Sequence, residues 1–441
     1  MTYQKGQIIR KLIHLSIGLI ILILSWVVEK NVLLYLIIAG TIFSFLTFNY
    51  KKFHLLHKTT DASLGTIYYP VGILSSYLIL YNLPLYYFSS SLMVLSISDT
   101  LAYFAGQIQR GNIWIRTFHD RKSIYGITAY SLSACLIIYL FLPDSLSLNI
   151  LYILFAVLWA VILETASMRG SDNLSIPAGL ALFFLLTYQY EFNYLYLSAI
   201  LVALAPACFL LFKFNILTRR GTFLAFLLGF YLAGIKGWPW LMPVLLFFLS
   251  SAAFTKLQHA IKVVEKKPTP RNAWQVIANI IWAITSSALF LFTRNEIFIL
   301  FFIAFVAAVT ADTWASEIGP LLNKRCFSLS KMRTVPAGTN GGISFFGSVA
   351  ALSGATIISS LSYYVFFGSW HWDIIAIISV SAFIACFADS LLGTFVEDKM
   401  LQINYFKKRK TLESITPNDL VNMLGSVTAF AFYLLISCVF Q

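Results

Sequence analysis

Five acidic residues stand inside or at the end of long apolar runs in this 441-residue chain. They are Asp99, Glu164, Asp312, Glu317 and Asp389. A carboxylate at membrane depth is costly unless it is paired, hydrated or functional. Carboxylates beside basic loops at a membrane surface can bind Mg²⁺ and the phosphates of a nucleotide, as phosphoryl transfer requires. Structural ion pairs at the interface are the alternative, but acids that recur beside glycine-rich loops favour phosphate chemistry.

The loop after Asp99 contains a lysine, a hydroxyl group and a glycine directly before an apolar run, in HDRKSIYGITA at 119–129. Lys122 can contact phosphate oxygens, and Ser123 can cap the helix that follows. The N-terminus of that helix is itself an anion-binding feature, because its first N–H groups have no partner within the helix. The loop therefore predicts a phosphate contact.

A second polar turn follows Glu164, in RGSDNLSIP at 169–177. Asp172 and Asn173 in this turn can contact a metal ion or the ribose of a nucleotide. Both turns fall at the same end of the predicted helices, so we expect them to contribute to one site.

The phrase RTVPAGTNGGIS at 333–344 joins Arg333 to a turn rich in glycine. Gly341 and Gly342 let the backbone approach a pyrophosphate closely, and Thr339 and Asn340 supply side-chain contacts. Neither a Walker A sequence nor a dinucleotide-binding fingerprint matches the spacing. The turn still predicts a site for phosphate groups at the start of a helix.

The elements that position these residues are membrane-spanning helices. Hydrophobic residues make up 59% of the chain, charged residues 11%, and the mean hydropathy is +0.80, which excludes a soluble globule. Runs long enough to cross a bilayer recur throughout, and the first is expected to be a permanent span, not a removed signal. The sequence predicts an all-α, polytopic integral membrane protein with about fifteen spans. They lie near 12–28, 32–48, 62–81, 85–106, 124–142, 149–167, 174–190, 194–212, 221–236, 239–254, 273–293, 296–315, 341–366, 374–394 and 419–440.

Lysine and arginine set the predicted orientation. With a cytoplasmic N-terminus, all 31 of them fall on the cytoplasmic side except Lys30, Lys236 and Arg294. This bias accounts for most of the net charge of +13, and the basic loops also attract anionic lipid and polyphosphate substrates. Nucleic-acid binding has no support, since the basic residues are divided among membrane loops. We expect a cell (inner) membrane protein whose C-terminus is outside.

A basic stretch at 213–221 separates two helical arrays of about eight and seven spans. The predicted domains are therefore 1–213 and 214–441. Four loops should be cytoplasmic because of their basic content. These loops are 107–123, 255–272, 316–340 and 396–418.

The first half resembles the phytol kinase and dolichol kinase family of CTP-dependent polyprenol kinases, over roughly 8–212. The resemblance is carried in order by RKLIH at 10–14, DTLAYFAG at 99–106, RKSIYG at 121–126, and LETASMRG with SDNLSIP from 163 to 177. It implies phosphorylation of the hydroxyl group of a long isoprenoid alcohol, with CTP or another nucleoside triphosphate as donor.

The second half resembles the membrane family that includes phytyl-phosphate kinase, over 217–438. The motifs are LTRRGTFLAFLLG, FFLSSAAFTK, RNAWQVIAN, ADTWASEIGP, VPAGTNGGIS, ADSLLGTFVE and NDLVNMLGS. The resemblance implies that a prenyl monophosphate becomes a diphosphate. It marks as site residues Lys256, Arg271, Asn279, Asp312, Glu317, Thr339, Asn340, Gly341, Gly342 and Asp389, with Asn422 as a further candidate.

Asp312 and Glu317 are five residues apart, which turns them about 140° from one another on an ideal helix. We expect the helix to end near Gly319–Pro320, so that Glu317 reaches the site from another angle. Asp99 and Asp312 are the predicted Mg²⁺ ligands. Lys122 and Arg333 are the predicted contacts to phosphate charge.

Together the halves predict a bifunctional kinase that converts a prenol of the phytol, geranylgeraniol or farnesol type to its monophosphate and then its diphosphate. The lipid substrates remain in the bilayer, and the nucleotide and Mg²⁺ come from the cytoplasm. One alternative is a CTP-dependent cytidylyltransferase acting on a lipid phosphate. Another is a membrane transporter, although the charged residues of a transporter are expected nearer the bilayer midplane than the acidic residues of this chain.

Overall fold

The computed structural model describes most of the chain as helices. The described residues are 2–48, 65–108, 114–116, 121–167, 170–189, 194–261, 270–322, 325–328, 332–336, 339, 341–393 and 416–439. In order, the helices of these residues are α1 (Thr2–Val27), α2 (Lys30–Phe48), α3 (Gly65–Ile79), α4 (Leu85–Met93), α5 (Asp99–Ile108), α6 (Ile124–Phe141), α7 (Asp144–Ser147), α8 (Ile150–Ala166), α9 (Asp172–Gln189), α10 (Tyr194–Lys213), α11 (Arg219–Lys236), α12 (Trp238–Ile261), α13 (Ala273–Thr293), α14 (Ile297–Leu322), α15 (Phe345–Phe367), α16 (Trp372–Leu392) and α17 (Pro417–Val439).

Each predicted span coincides with helical structure, because each apolar run between polar breaks favours a helix with its backbone satisfied internally. Ten helices of the described ranges are long and apolar enough to cross a membrane, and three apolar helices are shorter. The protein is therefore a helical, multi-span integral membrane protein, and the number fifteen stays a prediction.

The chain divides into two compact units, Met1–Tyr196 and Leu197–Gln441. The predicted boundary, between 213 and 214, lies at the other end of helix α10 and stays a prediction. Below, the first is called the N-terminal unit and the second the C-terminal unit.

In the N-terminal unit, α3 and α9 pack closely through a glycine. A Cβ atom at Gly72 would meet the backbone oxygen of Asn173, so only glycine allows this approach. Tyr69 on α3 stacks on His14 of α1, with ring centroids 4.0 Å apart. Its hydroxyl donates to the His14 carbonyl oxygen at 2.5 Å. These contacts fix α1, α3 and α9 around the acidic residues of the unit.

In the C-terminal unit, α14 is the central helix, since its residues from Phe301 to Ala311 are buried without interruption. Small residues bring α15 against it. A Cβ atom at Gly354 would meet the Trp314 ring at 3.0 Å, and one at Gly347 would meet the Ala315 carbonyl oxygen at 3.2 Å. Such contacts place the C-terminal half of α14 beside the first half of α15.

Two small sheets occur in the connecting segments, which the all-α prediction did not include. Strands β1 (Trp114–Arg116) and β2 (Arg121–Ser123) form an antiparallel hairpin. Strand β3 (Arg325–Ser328) pairs with both β4 (Arg333–Pro336) and β5 (Gly342–Ile343). Both sheets contain predicted site residues, and each sheet lies directly before a helix.

The end of helix α14 lies close to the predicted one. The helix ends at Leu322, two residues beyond the predicted Gly319–Pro320, so Glu317 lies within its last two turns. Gly319 lies against Ser344 and Gly347.

The predicted orientation can be tested by labelling a cysteine placed at position 265, which lies outside the described residues. In a parent whose five native cysteines are replaced by alanine, Glu265→Cys should stay unlabelled by an impermeant thiol reagent in intact cells and become labelled after permeabilisation. Ser369→Cys, between α15 and α16, is the matched control and should be labelled in intact cells. Labelling at 265 without permeabilisation would reverse the orientation and place the acidic residues in the wrong compartment.

Candidate functional site

Three carboxylates of the N-terminal unit lie close together. Asp99, Glu164 and Asp172 each bring a carboxylate oxygen within 4.8 Å of the other two. Asp99 and Glu164 are buried, and Asp172 is half-buried. All three are predicted site residues, so the structure brings together groups far apart in the sequence. They are called the acidic triad below.

Two lysines neutralise part of the triad. Lys11 on α1 forms an ion pair with Asp99. Lys122 on β2 forms a second pair, with its Nζ atom 2.5 Å from Oε1 of Glu164. Burial lowers the pKa of Lys122, but Glu164 and then Asp172 outweigh that effect, so the pKa lies well above its ordinary value. Lys122 therefore remains charged at neutral pH.

Local structure explains how the triad forms. A π-helical turn over Val94–Ser98 directly precedes Asp99, and such turns reposition the residues that follow them. Glu164 lies in the last turn of α8, and Asp172 lies in the first turn of α9. The hairpin β1–β2 carries Lys122 to the same place. Helix ends and a short sheet therefore supply the charged groups.

Several polar atoms near the triad are buried without a hydrogen-bond partner among the described residues. They include Oε2 of Glu164, Oδ1 of Asn173 and the hydroxyl of Tyr130, whose side chain is 0% exposed. The Tyr130 hydroxyl is within electrostatic reach of all three carboxylates. Buried oxygens of this kind normally have partners. Three carboxylates with an unpaired buried oxygen fit a hard divalent cation such as Mg²⁺.

The C-terminal unit contains a cavity of about 410 Å³. Its wall is formed by α13, α14, the turn before α15, the last turns of α16 and the first turns of α17. Many predicted site residues line it. These are Arg271, Asn279, Asp312, Glu317, Thr339, Gly341, Gly342, Asp389 and Asn422.

Asp312 and Asp389 both line this cavity, and their carboxyl groups lie within hydrogen-bonding reach of one another. Gly425 on α17 lies against Asp389, and a Cβ atom there would come within 2.8 Å of its Cγ. Two neighbouring carboxyl groups either share a proton or bind a cation. Their position in a cavity on the predicted cytoplasmic side fits Mg²⁺, which is usually bound by one or two carboxylates together with substrate phosphates.

Arg271 is positioned by its backbone as well as its side chain. Its N–H donates to the Ile216 carbonyl oxygen at 2.9 Å, and its own carbonyl oxygen accepts from Thr218 at 2.9 Å. The guanidinium donates to the hydroxyl of buried Ser251 at 2.5 Å. Burial lowers the pKa of Arg271, and Glu317 opposes that shift, so the guanidinium remains a cation facing the cavity.

The glycine-rich turn closes one side of the cavity. Gly341 has φ +70°, a conformation that favours glycine, and the Gly342 N–H donates to the Thr339 carbonyl oxygen at 3.0 Å. Ser344 caps α15 by accepting from the Gly347 N–H at 3.1 Å. The first turn of α15 also lines the cavity. A helix N-terminus favours an anion such as phosphate.

Other predicted site residues lie elsewhere. Lys256 is exposed, with its ammonium group 5.0 Å from the centre of the Phe214 ring, and does not line the cavity. Arg333 is exposed on β4 and does not line it either. Ser123 occupies the N-cap position of α6, but its side chain makes no capping hydrogen bond. Asn340 lies outside the described residues.

Two site residues went unassigned in the sequence analysis. Lys11 belongs to the RKLIH phrase and pairs with Asp99. Asp419 lines the cavity of the C-terminal unit and is 1% exposed. A sequence signal for Asp419 exists, because Thr416 three residues earlier makes a Thr-x-x-Asp cap pattern before an apolar run.

Comparisons with known proteins match about half of the chain. An uncharacterized membrane protein of Methanocaldococcus jannaschii, MJ0933, is 27% identical over 227 residues, which cover 51% of this chain and 88% of that protein. The uncharacterized membrane protein sll0875 of Synechocystis is 26% identical over 45% of this chain and 76% of its own length. Protein VTE6, chloroplastic, of Arabidopsis thaliana is 26% identical over 48% of this chain and 64% of its own length.

No solved structure matches the chain. The family match covers residues 199–430, just over half of the chain and nearly all of the C-terminal unit with its cavity. On this match, the chain belongs to the integral membrane protein family DUF92.

Proposed function

We propose that the protein is a membrane kinase that phosphorylates a prenol in its N-terminal unit and the resulting prenyl monophosphate in its C-terminal unit. The observation that carries the proposal is the polar cavity of the C-terminal unit, which is lined together by Asp312, Asp389, Arg271 and the first turn of α15. Groups that bind a divalent cation and groups that bind phosphate therefore line one space. The sequence resemblance to phytyl-phosphate kinase supports the choice of substrate.

The N-terminal unit supports the first step with the acidic triad and its two lysines. Asp99, Glu164 and Asp172 would bind Mg²⁺, which supplies neutralisation of phosphate charge when bound. Lys122 would contact the phosphates of the nucleotide. In both steps an oxygen of the lipid forms a bond with the terminal phosphorus, the bond to the bridging oxygen breaks, and a nucleoside diphosphate leaves. In the first step the proton of the prenol hydroxyl is released to water.

The protein's contribution in each step is positioning and charge. Arg271 and the first turn of α15 would orient phosphate oxygens, while the lipid chain remains in the bilayer. The proposed location is the cell membrane, with both sites open to cytoplasmic CTP or another nucleoside triphosphate.

The decisive assay uses purified protein in detergent with Mg²⁺ and CTP labelled at either the α or the γ phosphorus. Farnesol, geranylgeraniol and phytol, and their monophosphates, are the acceptors. Label from the γ position in lipid mono- and diphosphates is the expected result. Label from the α position in the lipid would identify a cytidylyltransferase instead. Absence of both products with every donor, with uptake of labelled lipid phosphate into vesicles, would favour a transporter.

Gly425→Ala tests the cavity without changing a polar residue. The added methyl group must displace Asp389, so we expect the monophosphate-to-diphosphate step to fall at least tenfold, or about 1.4 kcal/mol in the transition state. Gly40→Ala is the matched control, because a Cβ atom there has nothing within 4 Å among the described residues. Rates of the two steps and thermal unfolding of both variants are the measurements. Equal rates in Gly425→Ala and the parent would contradict the role given to Asp389.

A further inference from the structure

The wall of the C-terminal cavity has far more negative than positive charge. Asp312, Glu317, Asp389 and Asp419 line it, and among the described residues Arg271 is the one cationic side chain that does so. The formal excess is three negative charges. The acidic triad differs, because Lys11 and Lys122 each pair with one of its carboxylates. A cavity of this charge repels nucleotide and lipid phosphate unless cations enter with them.

One carboxylate oxygen of Asp419 takes no part in the hydrogen bonds that cap helix α17. Its Oδ2 accepts from the Thr416 N–H at 2.7 Å, and its own N–H donates to the Thr416 hydroxyl at 3.2 Å. This reciprocal pair caps the start of α17. Its Oδ1 is buried without a hydrogen-bond partner in the described part of the chain, although the residue lines the cavity and is only 1% exposed.

A capping role alone leaves that oxygen unexplained, because a buried carboxylate oxygen without a partner is costly. Within the described residues, the acidic triad is the group whose three carboxylates approach within 4.8 Å. Asp419 therefore does not share one ion with both Asp312 and Asp389 in this arrangement. The amide side chains of Asn418 and Asn422 line the cavity beside it and offer further oxygen ligands.

We propose that Asp419 is the carboxylate ligand of a second divalent-cation site in this cavity, separate from the site at Asp312 and Asp389. Mg²⁺ is commonly bound through a single carboxylate, retained waters and substrate phosphates, which is what this position offers. The inference rests on the proposed function in that the phosphates supply the remaining ligands. It explains how an acidic cavity accepts two anionic substrates.

The test counts Mn²⁺ bound to the full-length protein by the loss of the free-ion signal in electron paramagnetic resonance, with farnesyl monophosphate present and a protein-free sample as the blank. The parent is the Lys11→Met, Asp99→Asn, Lys122→Met, Glu164→Gln variant, which removes both ion pairs of the triad together and takes the triad out of the count. We expect about two bound ions in this parent and about one after Asp419→Asn, since asparagine keeps an oxygen for the Thr416 N–H but removes the charge. Asp312→Asn with Asp389→Asn should also leave about one, the ion at Asp419.

Thr416→Val is the matched control, because it removes the other half of the cap and leaves the cavity charge unchanged; it should retain both ions. Asp419→Ser is the second variant if Asp419→Asn does not fold, and it should lose the same ion. An unchanged count in a folded Asp419 variant, or loss of both ions together, would overturn the second site. Kinase products with an unchanged count would reject this inference alone, whereas loss of one ion without any phosphorylated lipid would reject the proposed function alone.

Discussion

Asp312→Asn is expected to slow conversion of prenyl monophosphate to diphosphate about a thousandfold, while prenol phosphorylation continues and monophosphate accumulates. A lost metal ligand removes about 4 kcal/mol of transition-state stabilisation, and each 1.36 kcal/mol is about tenfold in rate. The same change replaces a carboxyl group within a largely apolar helix by an uncharged amide of similar size, which lowers the cost of burial. Thermal unfolding should therefore occur at the same or a higher temperature than in the parent.

This combination separates a functional acid from a structural one. A carboxylate that mainly stabilises the fold would lower the unfolding temperature and reduce both reactions together. Asp373→Asn is the matched control, because Asp373 is exposed in the first turn of α16 at the opposite end from Asp389. That variant should leave both rates unchanged. Retention of the second step in folded Asp312→Asn would contradict the proposed role of Asp312.

Asp99→Asn is expected to give the reverse pattern, with prenol phosphorylation lost about a thousandfold and supplied monophosphate still converted. This substitution is expected to destabilise the fold more than Asp312→Asn does, because it leaves Lys11 without its partner in a largely buried position. Breaking a buried ion pair from one side typically costs about 3 to 5 kcal/mol. A low yield of the single variant would therefore not distinguish the two roles.

The double variant Lys11→Met with Asp99→Asn removes the whole ion pair and leaves no unpaired charge. Replacement of a buried pair by apolar or neutral groups is often tolerated, so stability should recover. Prenol phosphorylation should stay absent if Asp99 binds the metal. Recovery of that activity in the double variant would show that Asp99 acts only through the ion pair. Equal loss of both reactions in well-folded Asp99 and Asp312 variants would contradict two separate sites.

The helices follow from the sequence because membrane insertion depends on composition over a whole run. The run at 296–315 predicts α14 despite its acids, since the surrounding residues are apolar. The end of α14 also follows from the sequence to within two residues, because the Gly319–Pro320 pair lies in its last turn. The sequence does not predict the small sheets, because strands of three residues such as β1 are too short to show a periodic pattern of apolar residues.

The candidate site is partly predictable for a related reason. An acid at membrane depth is conspicuous, so Asp99 and Glu164 stand out from the sequence alone. Lys11 does not, because a lysine at the cytoplasmic end of a first span is ordinary in any membrane protein. Asp419 does not stand out either, because an acidic residue at the start of a helix is an ordinary helix cap. Only the fold shows that each faces other charged groups.

The π-helical turn over Val94–Ser98 amounts to one residue inserted into an otherwise regular helix. Removing one residue, for example Ile97, would restore ordinary α-helical register. Everything after the deletion would keep its direction, because the π-helical turn accommodates one extra residue. Asp99 would still face Glu164, whereas the same five residues wound as an ordinary α-helix would rotate it by about 100°. When sequences with and without this π-helical turn are aligned, the difference should appear as a single-residue gap immediately before the aspartate.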